Sequence, residues 1–67
     1  MKDYEVFLNN AINAMDKNNS VNSIKIENYE REIIKELETK GLIKNIRYIS
    51  NFFVGFDLTY NGIHYFD

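Results

Sequence analysis

The sequence has no cysteine, no proline and no tryptophan, and it has a single histidine, His64. Without cysteine there is no disulfide and no thiolate metal site, which suits a reducing cytoplasm. No apolar run approaches the roughly 20 residues that a membrane span requires. The first residues, MKDYEVFLNN, lack the uninterrupted apolar stretch of a secretory signal. A basic excess is missing too: ten acids outnumber eight bases, for a formal charge of −2. That is a poor starting point for a nucleic-acid binder, which usually shows a clear surplus of Lys and Arg. Nucleophile–base pairs, glycine-rich phosphate loops and metal-ligand spacings are all missing, so the reading is of a non-enzyme without metal or cofactor. His64, alone among aromatics, reads as a packed or surface residue.

What remains is a small globular protein. The chain has 67 residues, of which 45% are hydrophobic and 27% charged, which is unlike a disordered tail. That length holds one core and one domain, 1–67, and such a domain gains stability by pairing with a second copy. Five Phe and five Tyr supply the bulk of that core. Abundant Asn, Ile and Lys without Pro give the composition of an AT-rich genome, such as that of a phage or other mobile element.

Tyr4, Phe7, Leu8, Ala11, Ile12 and Met15 recur at helical spacing and predict a first helix over 3–16, with Asp3 as its N-cap. Lys17-Asn18-Asn19-Ser20 reads as a loop. The stretch 21–26 fits either a short extended piece or one helical turn, with Val21, Ile24 and Ile26 as anchors. A second helix follows, capped by Asn28, with Tyr29, Ile33, Ile34 and Leu37 as its buried stripe. Gly41 ends it in the left-handed conformation, which places Leu37 and Leu42 in contact. Its acids Glu27, Glu30, Glu32, Glu36 and Glu38 read as a solvated, salt-bridged surface, with Glu27–Arg31 and Glu36–Lys40 in the favourable order.

After Gly41 the pattern becomes that of a β-hairpin, 42–49 and 52–59, turning at Ser50-Asn51. Alternation puts Phe52, Val54, Phe56 and Leu58 on the core face and leaves Phe53 outside. The tail 59–67 has two readings. Asn61-Gly62 signals another hairpin with a third strand at 63–66; alternatively Thr59 caps a terminal helix that buries Ile63 and Phe66.

The run Glu36-Leu37-Glu38-Thr39-Lys40-Gly41-Leu42-Ile43, the apolar hairpin, and Leu58-Thr59-Tyr60-Asn61-Gly62-Ile63-His64-Tyr65-Phe66 follow one another in order. This pattern resembles the small YjcQ-type winged-helix proteins of Gram-positive bacteria and their phages. The resemblance implies a compact α+β winged-helix-like fold: helix, short connector, helix, β-hairpin wing, and a short C-terminal helix or strand. It also implies a regulatory binding module. The departure lies at 18–26, which is too short for both the strand and the second helix of a full winged helix.

Two partner classes follow, DNA or a protein of a host or phage. For DNA binding and transcription regulation, the helix face opposite the buried stripe offers Asn28, Arg31, Lys35 and Thr39, and the wing adds Lys44 and Arg47. Six of the eight bases lie in 25–47, but five acids share that window, and Glu32 and Glu38 border the stripe. For a protein partner, as in an inhibitor of a nucleic-acid-handling protein, the candidates are the aromatics Tyr48, Phe53 and Tyr60.

Overall fold

A computed structural model describes all residues 1–67. The order of elements is α1 (Asp3–Ala14), β1 (Ser20–Lys25), α2 (Glu30–Thr39), β2 (Ile43–Tyr48), β3 (Phe53–Leu58) and α3 (Tyr60–Ile63). The strands form one antiparallel sheet in the order β1-β3-β2, and the helices lie against one of its faces.

The first helix begins at Asp3, but its N-cap lies one residue earlier than the sequence suggests. Lys2 occupies the N-cap, and its N–H donates to the Glu5 carboxylate at 2.8 Å, so Asp3 lies inside the first turn. It also ends earlier, at Ala14. Asp16 is withdrawn from the helix because its carboxylate accepts the backbone N–H groups of Asn18 (2.8 Å) and Ser20 (3.0 Å). That turn, with Asn19 at φ +63°, delivers the chain into β1. The connector is therefore a full strand, and it leaves no residues for another helix before α2.

The α2 boundaries separate a good expectation from a poor one. At the start, the Glu27 N–H donates to the Glu30 carboxylate at 2.7 Å, while Asn28 offers no side-chain cap. Tyr29 precedes the first helical residue and is 67% exposed instead of buried; the stripe is carried by Ile34 and Leu37, with Ile33 half-buried. At the end, Gly41 takes φ +73°. The Leu42 N–H reaches Leu37 O and the Gly41 N–H reaches Glu38 O, both at 2.9 Å, while Leu37 and Leu42 are buried. The sequence signal and the geometry coincide here residue by residue.

In the hairpin, the Ile49 N–H donates to Phe53 O at 3.0 Å, closing a three-residue loop, Ser50–Phe52. The loop takes one residue more than Ser50-Asn51, so Phe52 leaves the strand and is 59% exposed. From Phe53 onward the alternation holds: Val54, Phe56 and Leu58 are buried, and Phe56 meets Phe7 of α1 with ring centroids 6.2 Å apart. Both outer strands bulge against β3. Val21 pairs with Phe56 but Ile24 with Val54, and Lys44 pairs with Asp57 but Arg47 with Gly55. Gly55 is what the first bulge requires, since a Cβ there would lie 2.5 Å from Asn22 O.

The tail is helical. Thr59 Oγ1 accepts the Gly62 N–H at 3.0 Å and donates to Gly41 O at 2.7 Å, so one hydroxyl starts α3 and pins it to the end of α2. Ile63 packs on the core as the helical reading requires. Phe66 does not, being 43% exposed; Tyr65 turns inward in its place, its hydroxyl 2.8 Å from that of Tyr4 and donating to Glu5 at 2.9 Å.

Gly41→Ala adds no clash, since nothing lies within 4 Å of the new Cβ. It is expected to cost about 1 kcal/mol from left-handed backbone strain alone. Gly55→Ala is expected to cost more, about 1–3 kcal/mol, because a backbone oxygen must move. Urea denaturation of the two variants checks both the order and the size.

Candidate binding surface

The sheet separates the six residues proposed for nucleic acid into two groups. Residues directly opposite across an antiparallel pair share a face. Lys44 pairs with Asp57 and Arg47 with Gly55, and both β3 residues alternate with the buried Val54, Phe56 and Leu58. Lys44 and Arg47 therefore stand on the outer sheet face, away from the helices. Asn28, Arg31, Lys35 and Thr39 belong to α2 and its entry turn, on the other side. The expected wing-plus-helix surface does not form, because the bases of β2 are outward-facing positions of the strand.

Several of these groups are already engaged. Arg31 Nη2 donates to Asn51 O at 2.8 Å, and its guanidinium lies 4.9 Å from the centre of the Tyr48 ring, so it clasps the hairpin end to α2. Arg47 donates to Asn45 O at 2.8 Å and lies 3.6 Å from the Asp57 carboxylate. Lys35 is free, but it lines shallow hollows of about 400 Å³ shared with Glu32, Glu36 and Glu38. The expected Glu27–Arg31 and Glu36–Lys40 ion pairs do not form within 4.0 Å; the ion pairs present are Arg47–Asp57 and His64–Asp67. Exposed pairs gain too little to hold long side chains, and Lys40 lies over the Tyr4 ring instead, at 4.9 Å.

The outer face can be read rung by rung. At the hairpin end lie Ile49, Phe53 and Lys25; next come Arg47 and Gly55; then Lys44, Asp57 and Ser20. Asp57 organises the last rung. It accepts from Ser20 Oγ of β1 at 2.6 Å and from Asn45 Nδ2 of β2 at 2.8 Å, so one carboxylate on the central strand ties both neighbours. These hydrogen bonds, Asn45's and then Ser20's, together with Arg47, hold the Asp57 carboxyl below its ordinary value of 3.8. Asn45 reaches it from the bulge, at φ +55°.

The three aromatics proposed for a protein partner do not form one surface. Phe53 is on the outer face, 41% exposed. Tyr48 is on the helix side, under Arg31. Tyr60 begins α3, at the far end of β3 from the hairpin loop, with its ring 4.4 Å from that of His64. The neighbours of Phe53 are Ile49 and Phe52, 58% and 59% exposed, which the sequence reading missed. Phe52 is exposed because the loop takes it as a third residue after Ser50-Asn51.

No group of three or more His, Asp and Glu side chains is placed to hold a metal ion, and no helix is long and apolar enough to cross a membrane. No family model, curated protein or solved structure matches the chain. On the outer face the Asp57 carboxylate makes stability depend on pH. Its lowered value means that the charged form is favoured by folding, so its stabilising effect is present above the unfolded value near 3.8 and is lost as pH falls through the folded value. Asp57→Asn is expected to be less stable than the wild type at neutral pH, with the gap closing in acid; thermal unfolding between pH 7 and pH 2 measures it.

Proposed function

We propose that this protein is a small non-enzymatic binding module of winged-helix-like design that engages a protein partner through the end of its hairpin. The observation that carries the reading is the group Ile49, Phe52 and Phe53, three large apolar side chains exposed together around one loop. Exposing them costs a small domain solubility and gives its core nothing. Such clusters, bordered by polar groups, mark interaction sites. The loop is also held firmly: Arg31 grips its Asn51 carbonyl, and the Ile26 N–H donates to Phe52 O at 2.8 Å. A pre-organised apolar tip loses less entropy on binding than a loose one.

The order helix, strand, helix, hairpin, short helix supports the winged-helix likeness, with β2 and β3 as the wing and one helix fewer than the full arrangement. The same shortening speaks against reading duplex DNA in the ordinary way. The exposed face of α2 carries Lys35 and Lys40 among Glu32, Glu36 and Glu38, and these carboxylates repel phosphate. The Asn- and Ile-rich composition fits a regulatory or inhibitory protein carried by a phage or mobile element, acting on a host protein.

Tagged wild-type protein is expected to retain a specific partner from a host-cell lysate, and Phe52→Ala and Phe53→Ala to release it, with circular dichroism unchanged. The same wild-type protein is expected to pass through heparin and mixed-DNA columns at low salt. Retention on those columns that Lys35→Ala abolishes would replace this reading with DNA binding through α2.

A further inference from the structure

Charge is distributed unevenly between the two sides of the molecule. The outer sheet face carries Lys25, Lys44 and Arg47 against one acid, Asp57, whereas the rest of the chain holds nine acids and five bases. Lys25 and Lys44 form no ion pair. A protein with net charge −2 thus presents one positive face. That face is also the one no helix covers, and it ends at the apolar group just described.

We propose that the outer sheet face receives an acidic segment of the protein partner, one carrying at least one large apolar side chain. This rests on the reading that the partner meets the hairpin end. The apolar side chain would sit on Ile49 and Phe53. In the next rung Gly55 is covered by the β1 bulge, whose Asn22 O stands where a side chain would begin. The carboxylates of the segment would meet the ammonium groups of Lys25 and Lys44, one on each outer strand. Arg47 is already partly neutralised by Asp57, so the two lysines are the available cations. An apolar centre with a charged rim is the anatomy of a protein interface. The alternative anion, single-stranded nucleic acid, is recognised by bases stacking on several rings. This face has rings only at its hairpin end, Phe53 and the loop's Phe52 beside the aliphatic Ile49, and none at the Arg47–Gly55 and Lys44–Asp57 rungs.

The test is selection of random peptides on immobilised wild-type protein, followed by affinity measurement of the enriched peptides on variants. Enriched peptides are expected to be net acidic with an aromatic or large aliphatic residue. Lys25→Glu and Lys44→Glu are each expected to weaken them about tenfold, the scale of a lost interface anchor. Lys35→Glu, on the opposite side, is expected to leave affinity unchanged. Enriched peptides that need Phe53 but are neutral or basic would overturn the acidic segment while leaving the hairpin as the contact. Peptides indifferent to both Phe53→Ala and the lysine variants would overturn the two readings together, as would failure to enrich any peptide. Labelled oligo(dT), measured by fluorescence anisotropy, is expected to bind more weakly than the peptides; tighter binding that Phe53→Leu abolishes would overturn the proposal in favour of a stacked single strand.

Discussion

Everything in this molecule waits on the central strand. β3 is the only strand paired on both sides, and it is the last of the three to appear in the chain. β1 has no partner until β3 arrives, and the core face of the sheet consists of Val54, Phe56 and Leu58 lying between Val21 on one side and Ile43 on the other. The helices contribute Phe7, Leu8, Ile34 and Leu37 to the same cluster, which they can bury only once that face exists. In a chain of this length no second core can compensate, so the parts are strongly interdependent.

The two faces of β3 meet opposite requirements. Its even positions are the apolar centre. Its odd positions run from the exposed Phe53 through Gly55 to Asp57, a side-chain series that falls from aromatic to nothing to a charged anchor. Asp57 fastens the two outer strands by Ser20 and Asn45, and the bulge residue Asn45 can reach it because the backbone there enters the left-handed region that Asn tolerates. Polar bonding on one face thus holds strands whose other face is held by packing.

The sequence was most readable where a signal is local and redundant. Leu37, Gly41 and Leu42 mark the end of α2 three times over, and Val54, Phe56 and Leu58 alternate without exception. It was least readable where a side chain competes for backbone groups or where strands pair across distance. Asp16 left a helix that its periodicity allowed, because its carboxylate served two N–H groups. Val21–Ile26 alternates only at Ile24-Lys25-Ile26, out of step with Val21; it is extended because β3 lies beside it, and its bulge breaks the period. Phe52 left the core face because the loop took one residue more than the turn signal marks. The candidate surface suffered for the same reason. Arg31 and Arg47 are of the type that binds phosphate, but whether such a group is free depends on Asn51 and Asp57, which lie 20 and 10 residues away in the chain. Phe53 was legible because its outward position follows from parity alone.

The bulges have a consequence for the open edges of the sheet. A three-stranded sheet leaves two open edges, here β1 and β2, and straight open edges invite strands from other chains to join them. Each of these edges is interrupted near its middle, at Asn22–Ser23 and at Asn45–Ile46, where the repeat of donors and acceptors is out of step with any regular strand. Sheet extension into dimers or fibrils is thereby discouraged on both sides without a proline in the chain. Interrupted edges leave the surfaces of the sheet, rather than its borders, as the place where another molecule can settle.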